Sequence, residues 1–246
     1  MKLLLTSGGI SNTSIQNALV DLLGKPIAEA SALFIPTAIY AIPNASDIVR
    51  GVICGSLGSP FCNLPWKSLG VLELTALPSI KKDLWVPRLM ETDALLVGGG
   101  DCQYLCYWMQ QSGLTDLLPS LLRKTVYVGL SAGSMIMTRF GTTYGHHTLP
   151  AETDKSLGLV DFALHPHLDH EQFPKNSLAN MEKLAATLTV SSYAIDDETA
   201  IKITDGNVEV ISEGHWQLFC AEDINDKTFV EQQPLKKTGA AEKPHE

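Results

Sequence analysis

Long apolar runs are absent from this sequence of 246 residues. No stretch approaches the roughly 18 consecutive apolar residues that identify a membrane-spanning helix. At the amino terminus only three consecutive leucines follow the Met-Lys pair, which is too short for the apolar region of a signal peptide. We therefore expect a soluble chain without a membrane partner, and we interpret the first residues as a β-strand.

Basic runs are equally scarce. The formal net charge is −9, and no basic run is longer than a pair such as Lys81/Lys82 or Lys236/Lys237. A surface that binds nucleic acid needs clustered positive charge to meet the phosphates. The charge pattern therefore argues against a nucleic-acid partner.

Cysteine is present, but in an odd number. The five cysteines lie mostly in apolar segments: Cys54, Cys62, Cys102, Cys106 and Cys220. A disulfide framework uses an even set of cysteines in an oxidising compartment. The pattern favours reduced, buried thiols and a cytoplasmic location.

What the sequence does have is a globular composition, with 45% hydrophobic and 18% charged residues. Short apolar runs rich in β-branched residues alternate with helical patterns, which is typical of an α/β three-layer sandwich with a mostly parallel central sheet. The predicted strands comprise residues 2–6, 32–36, 69–75, 93–97, 125–130 and 158–164. The predicted helices comprise residues 12–23, 80–91, 102–111, 115–123, 133–139 and 176–188.

The pattern changes after Val190, where short alternating segments are separated by the pairs Asp205-Gly206 and Glu213-Gly214. Such pairs are hairpin-turn signals, so the end of the fold is predicted to be an antiparallel β-meander at a sheet edge. We expect one domain over residues 1–231. The tail at 232–246 has no apolar period and is predicted to be disordered.

A candidate nucleophile lies in the run Gly129-Leu-Ser131-Ala-Gly133, between a predicted strand and a predicted helix. Small residues permit the sharp turn of a nucleophile elbow, which exposes the serine hydroxyl at the end of the strand. The pattern alone is equally compatible with a tight turn that has no chemistry. Ser134 is a second candidate, but it falls in the first helical turn, where capping or packing is favoured.

A serine hydroxyl needs a base, which a carboxylate normally orients. Three histidines end a strand-like run: His165, His167 and His170. Zn²⁺ would need further ligands at other spacings, so we expect a general base there and neither a metal nor a cofactor.

Three consecutive acids end another short strand: Asp196, Asp197 and Glu198. Such a run is often only a solvated turn. Beside the other motifs, one of the three is a candidate to orient the histidine. The residues leave open which one.

Three consecutive glycines, Gly98 to Gly100, precede Asp101 at a further strand end. The segment has neither the lysine of a P-loop nor the spacing of a Rossmann glycine motif. Glycines let backbone N–H groups approach a substrate carbonyl closely, so we interpret the segment as an oxyanion-hole donor. A flexible turn is the alternative.

Taken in order, the segments VGGGD, VGLSAGSM, HPHLDH and IDDETA resemble the dipeptidase E family of serine peptidases, which includes the cyanophycinases. The resemblance extends from the first strand to about residue 212. It implies a fold like that of class I glutamine amidotransferases, with serine in place of the nucleophilic cysteine.

By the same resemblance, Ser131 matches the nucleophile, His167 the histidine of an Asn-Pro-His-like segment, and Asp197 an acid that is commonly Glu. Asp196 or Glu198 remains the alternative acid. The matching oxyanion-hole groups are the backbone N–H groups of Gly99 or Gly100 and of Ala132. Further substrate contacts are expected from three neighbouring side chains: Asp101, His165 and His170.

The resemblance implies hydrolysis of short peptides, with N-terminal Asp dipeptides as candidates. The family binds the substrate carboxylate with an arginine downstream of the histidine, whereas this chain has no Arg after Arg139. Lys175 or His170 would be an imperfect substitute, because neither offers the bidentate fork of Arg.

Two alternatives stay open: a non-catalytic homologue of the same fold, and a hydrolase of other amides or esters. The expected partner is a small peptide, and the chain could be a monomer or a homodimer. Residues 141–156, with His146 and His147, are a candidate lid.

Overall fold

The protein is represented by a computed structural model in which the described residues are 1–56, 61–140 and 156–221. The candidate lid at 141–156 lies almost entirely outside the described residues, as do His146 and His147. The tail at 232–246 and the domain boundary near residue 231 lie beyond them and stay predictions.

Ten β-strands and seven α-helices form the described part of the chain. The strands are β1 (Lys2–Thr6), β2 (Ser31–Ile35), β3 (Ser68–Val71), β4 (Ala94–Val97), β5 (Val126–Leu130), β6 (Ala163–His165), β7 (Ser192–Ile195), β8 (Thr199–Thr204), β9 (Asn207–Ser212) and β10 (Trp216–Phe219). The helices are α1 (Thr13–Leu23), α2 (Ala45–Cys54), α3 (Lys82–Met90), α4 (Cys102–Gln111), α5 (Leu114–Leu121), α6 (Ala132–Met135) and α7 (Leu178–Ala185).

Seven strands form the main sheet in the order β3-β2-β4-β5-β1-β8-β9. The five strands from β3 to β1 pair in parallel, and the hairpin of β8 and β9 extends one edge in antiparallel pairing. The carboxyl ends of β1, β4 and β5 therefore meet at one edge of the sheet. In α/β folds this is the edge at which ligands bind.

The amino-terminal strand shows why the sheet is buried on both faces. Leu3 and Leu5 pack in one hydrophobic cluster and Leu4 in the other, and all three are fully buried. Successive side chains of a strand point to opposite faces, so the three leucines reach both helical layers. Burial of one such side chain stabilises the folded state by roughly 1.5–3 kcal/mol. Strand β1 therefore holds the residues that follow it in a fixed position.

Local signals define helix α1 at both ends. The Asn12 side chain accepts a hydrogen bond from the Ile15 N–H, and Gly24 ends the helix in the left-handed conformation with φ of 68°. An Asn cap satisfies an N–H that the helix leaves unpaired, and glycine adopts positive φ at little cost. Helix α2, by contrast, was not predicted: Asn44 precedes it without a side-chain cap bond, and Gly51 interrupts its pattern.

The carboxyl-terminal strands divide between two sheets. The β8–β9 hairpin at the edge of the main sheet agrees with the predicted meander, but β7 and β10 pair with each other in a second sheet of order β10-β7-β6. The turn at Asp196–Glu198 carries the chain from one sheet to the other. The acid motif therefore lies at the junction of the two sheets.

Helix α6 is shorter than the predicted 133–139. The carbonyls of Ile136 and Met137 accept hydrogen bonds from the Leu157 and Leu159 N–H groups. A continuing helix would use those carbonyls internally, so pairing with the later segment ends the helix at Met135.

The five cysteines are thiols; three are buried, whereas Cys54 is exposed and Cys220 is partly exposed. Burial raises the pKa of the Cys62 and Cys106 thiols to about 12, and a thiol that stays protonated is a poor nucleophile. Among the helices of the described segments, none combines the length and the apolar character needed to cross a bilayer.

Candidate active site

The backbone at Ser131 forms a sharp turn between β5 and α6. Ser131 has φ of 50° and ψ of −111°, a conformation that a residue with a side chain adopts only when its surroundings impose it. The flanking glycines show what imposes it: a Cβ on Gly129 would lie 2.7 Å from the Gly133 backbone, and one on Gly133 would collide with the Val97 carbonyl. Both glycines of the motif are therefore required by close backbone contact.

Strand β1 holds this turn in place. The Ser131 N–H donates to the Thr6 carbonyl at 3.1 Å, and the Ser134 hydroxyl donates to the same carbonyl at 2.7 Å. Ser134 is fully buried. It ties α6 to β1, in keeping with the predicted packing role, and Ser131 alone of the two serines faces the histidine.

His167 lies in the loop after β6 and faces Ser131. Its Nε2 is 2.8 Å from the Ser131 Oγ, and its Nδ1 is 2.7 Å from the Asp197 Oδ1. A carboxylate only accepts hydrogen bonds, so it fixes the proton on Nδ1 and leaves the lone pair of Nε2 for the serine hydroxyl. This is the geometry that a general base needs.

Asp197 is the acid that reaches the histidine. Partial burial by itself would raise the pKa of the Asp197 carboxyl, but the hydrogen bond and charge of His167, the Ser7 hydrogen bond and the charge of His170 outweigh it. The net result is a pKa below the usual Asp value. The carboxylate therefore stays ionised, as the partner of an imidazolium must.

The other two acids of the motif point elsewhere. Asp196 is 8% exposed and accepts hydrogen bonds from the Thr199 hydroxyl at 2.6 Å and the His215 N–H at 2.7 Å. The exposed Glu198 carboxylate accepts from the Asn12 amide at 3.0 Å. Geometry thus selects Asp197 from three adjacent candidates.

The predicted oxyanion donors lie beside the nucleophile. A Cβ on Gly99 would lie 3.2 Å from the Ser131 Cβ, and one on Gly100 would collide with the Ala38 carbonyl at a φ of 123°. Among the backbone–backbone hydrogen bonds of the loops, turns and caps in the described segments, none is donated by the N–H groups of Gly99, Gly100 or Ala132.

The three side chains predicted to contact substrate occupy different settings. Asp101 is 2% exposed and caps helix α4 by accepting from the Tyr104 N–H at 2.9 Å. His165 is also buried, and burial lowers its pKa to about 4, so its ring is neutral near pH 7. Only His170 faces the site, with its Nε2 3.7 Å from the Asp197 Oδ2.

Two site residues were missed from the sequence. The Ser7 hydroxyl donates to the Asp197 Oδ1 at 2.6 Å, and the Phe173 ring stacks on the His167 ring with centroids 4.3 Å apart and planes 11° apart. Ser7 follows a strand that ends at the same sheet edge, and this position could have identified Ser7 as a site residue. Nothing in the sequence singled out Phe173. Lys175, considered as a substitute for arginine, is exposed.

The histidine cluster does not have the form of a metal centre. No group of three or more His, Cys, Asp and Glu side chains within the described ranges is arranged to hold a metal ion. The polar groups instead form one chain of hydrogen bonds from Ser131 through His167 to Asp197 and Ser7.

The fold thus combines a mostly parallel α/β sheet with a serine, a histidine and a carboxylate in hydrogen-bond contact at one edge. The model of peptidase family S51 matches residues 3–211, so the chain belongs to this family. That membership confirms the family that the four motifs predicted.

Individual relatives agree with this assignment. An uncharacterized peptidase, YgaJ of Bacillus subtilis (strain 168), is 30% identical over 117 residues, which are 47% of this chain and 49% of that protein. The chain thus matches about half the length of this curated relative.

Two solved structures share the fold. A candidate peptidase E of Listeria monocytogenes EGD-e superposes with a TM-score of 0.60 at 20% identity, covering 87% of this chain and 98% of the other. A peptidase from an acI-B1 actinobacterium gives a TM-score of 0.55 at 17% identity, covering 89% and 91%. At these identities the likeness establishes the fold, and it confirms the predicted α/β architecture.

Proposed function

We propose that this protein is a serine peptidase that hydrolyses short peptides through a covalent acyl-enzyme. The observation that supports the proposal most is the continuous hydrogen-bond chain from the Ser131 Oγ to the His167 Nε2 at 2.8 Å and from the His167 Nδ1 to the Asp197 Oδ1 at 2.7 Å. A serine that only caps a helix or packs in the core does not require a neighbouring histidine whose other nitrogen is held by a carboxylate.

In the acylation step, His167 Nε2 takes the proton of the Ser131 hydroxyl while Oγ attacks the peptide carbonyl carbon. The carbonyl oxygen becomes an oxyanion, which accepts hydrogen bonds from the N–H groups of Ala132 and of Gly99 or Gly100. The imidazolium then gives its proton to the leaving amine as the C–N bond breaks. The products are a free amine and an ester on Ser131.

Deacylation repeats the sequence with water. His167 takes a proton from water, whose oxygen attacks the ester carbonyl, and the proton passes to Ser131 Oγ as the C–O bond breaks. Asp197 remains ionised throughout and stabilises the imidazolium in both halves, which suits its lowered pKa.

We propose short peptides as the substrates, without assigning aspartyl specificity. A substrate carboxylate is bound well by the bidentate contact of an arginine. No arginine follows Arg139 in the sequence, so none is present downstream of His167 to make this contact. The groups beside the base are the His170 imidazole and the Phe173 ring, 5.6 Å apart between centroids.

A fluorophosphonate probe tests the nucleophile. The wild type should be labelled on Ser131, and Ser131→Ala should be unlabelled. Ser120→Ala is the matched control, because Ser120 is an exposed serine on α5 whose hydroxyl donates to the Leu117 carbonyl at 2.9 Å. Its labelling should equal that of the wild type.

A library of dipeptides and isoaspartyl dipeptides tests the reaction class. Turnover that both Ser131→Ala and His167→Ala abolish would support a peptidase. A folded wild type that binds library members without cleaving them and is not labelled between pH 6 and 9 would overturn the proposal and leave a binding protein of the same fold. Cleavage restricted to other amides or esters would keep the site but change the substrate class.

A further inference from the structure

Ser7 is a fully buried serine that the reaction steps above leave unused. It directly follows β1, whereas His167 and Asp197 are 160 and 190 residues away along the chain. Its hydroxyl contacts both of them. The residue therefore joins the loop of the base to the turn of the acid.

The two hydrogen bonds of this hydroxyl have defined directions. The His167 backbone N–H donates to the Ser7 Oγ at 2.8 Å, which occupies one acceptor position of the oxygen. The hydroxyl proton then points to the Asp197 Oδ1 at 2.6 Å. The distance from the Ser7 Oγ to the His167 Nδ1 is 3.5 Å, too long to compete with the carboxylate.

Asp197 Oδ1 thus accepts two hydrogen bonds, one from the Ser7 hydroxyl and one from the His167 imidazole at 2.7 Å. Two donors on one oxygen restrict rotation of the carboxylate about its Cβ–Cγ bond. The neighbouring Gly8 adds a steric limit, because a Cβ there would lie 2.8 Å from the Asp197 Cβ. Ser7 and Gly8, which follow β1, therefore restrict the Asp197 carboxylate by a hydrogen bond and by steric contact.

The histidine backbone depends on the same hydroxyl. His167 has φ of 61°, in the left-handed region that costs free energy for a residue with a side chain. Its N–H is aimed at the Ser7 Oγ in that conformation. Loss of the hydroxyl would leave this N–H without its acceptor and loosen the loop that carries the base.

We propose that Ser7 is a positioning residue that fixes the Asp197 carboxylate and the His167 backbone relative to each other, so that the imidazole meets Ser131 in the reactive geometry. This inference rests on the proposed function, since it assigns Ser7 to the same site. Ser7 transfers no proton to substrate and forms no covalent bond.

The test compares Ser7→Ala with a buried serine of the same bonding pattern elsewhere. Ser112 accepts a hydrogen bond from the Leu114 N–H at 3.3 Å and donates to the Met109 carbonyl at 3.1 Å, at the junction of α4 and α5. Ser7→Ala should lower kcat about 10- to 100-fold with KM within about twofold. Ser112→Ala should keep kcat within about twofold of the wild type.

A conservative variant and a spectroscopic signature separate positioning from general destabilisation. Ser7→Thr retains the hydroxyl and should recover kcat to within about fivefold of the wild type. The far-downfield proton NMR resonance of the His167 Nδ1–H reports its hydrogen bond to Asp197. This resonance should be present in the wild type and in Ser7→Thr, and lost or shifted in Ser7→Ala.

Each result decides one question. Equal kcat in Ser7→Ala and Ser112→Ala, with the resonance retained, would overturn the role of Ser7. A wild type that cleaves no peptide and resists the probe would overturn the proposed function, while the resonance would still report whether Ser7 holds the pair. If Ser7→Ala fails to fold, Ser7→Cys, with a weaker donor, should lower kcat and shift the resonance; wild-type values for both would overturn the inference.

Discussion

Two histidine–aspartate pairs lie side by side in this protein and use adjacent acids of one turn. His167 meets Asp197 at 2.7 Å, and the His215 Nδ1 meets Asp196 at 2.9 Å. They differ at the second ring nitrogen: the His167 Nε2 faces the Ser131 hydroxyl at 2.8 Å, whereas the His215 Nε2 faces the Asp169 carboxylate at 3.3 Å.

The difference shows that a short His–Asp contact does not by itself make a catalytic pair. An imidazole acts as a base only when one nitrogen presents a lone pair to the group it deprotonates. His215 lies between two carboxylates and bridges the His167 loop to the acid turn, so its arrangement suits a structural contact. Substitutions in the two pairs should therefore differ in whether they lower kcat or the free energy of unfolding.

The largest effect should come from Asp197→Asn. An amide can donate as well as accept, so it permits the wrong tautomer of His167, and we expect kcat to fall about 10⁴-fold. Steady-state kinetics on a peptide substrate measures the loss. Glu198→Gln alters the exposed acid next along the turn and should keep kcat within about threefold. More than a tenth of wild-type kcat in Asp197→Asn would contradict the assignment of the acid.

Asp196→Ala should act on stability. It removes the acceptor of the Thr199 hydroxyl, the His215 N–H and the Glu198 N–H, and unpaired buried donors cost about 1–3 kcal/mol each. We expect the free energy of unfolding to fall by about 3 kcal/mol in urea titrations. Asp197→Ala, at a more exposed position, should lose less; an equal loss would argue against a structural role specific to Asp196.

His165 offers a third histidine, buried without a carboxylate partner among the described residues. Its pKa falls from 6.5 to about 4 because burial disfavours the charged ring. The unfolded chain therefore takes up the proton first, and stability present above pH 6.5 is lost as the pH falls toward 4. His165→Gln cannot titrate at this position. Relative to it, the free energy of unfolding of the wild type should fall by up to about 3 kcal/mol between pH 7 and pH 4.

Urea midpoints between pH 7 and 4 measure this difference for His165. Parallel curves for the wild type and His165→Gln would show that the folded protein admits the proton without penalty.

The smallest effect should come from His215→Ala. The His215 side chain is 57% exposed, and exposed ion pairs contribute about 0–1 kcal/mol. The free energy of unfolding should fall by less than about 1 kcal/mol, and kcat should stay within about threefold. A loss of kcat comparable to that of Asp197→Asn would remove the distinction between the two pairs.

Much of the site was predictable because its signals are local. The Gly129–Gly133 run encodes its own turn, since both glycines are needed where backbones touch. Helix α4 was predicted with its observed bounds, Cys102–Gln111, because an acid cap precedes a helical pattern. The split of the meander into two sheets was not predictable, since alternation identifies strands but not their partners.

The roles of individual side chains followed the same division. His165, His167 and His170 share one short segment, yet one is buried, one meets Ser131 and one stands beside Asp197. Composition and spacing give the three histidines equal standing. The family resemblance matched His167, and in the structure its positive φ and the contacts of its loop distinguish it from the other two.

The sequence by itself determined the sharp turn at Ser131, the parallel core strands and the family to which the chain belongs, because steric needs and apolar periodicity act over a few neighbouring residues. Only the tertiary structure shows which of the three acids contacts His167: Asp197, the residue that the family resemblance matched, does so, whereas Asp196 contacts His215 and Ser7 contacts both His167 and Asp197. Those choices depend on distances near 3 Å between groups that are 19 to 190 residues apart along the chain, which no local pattern records.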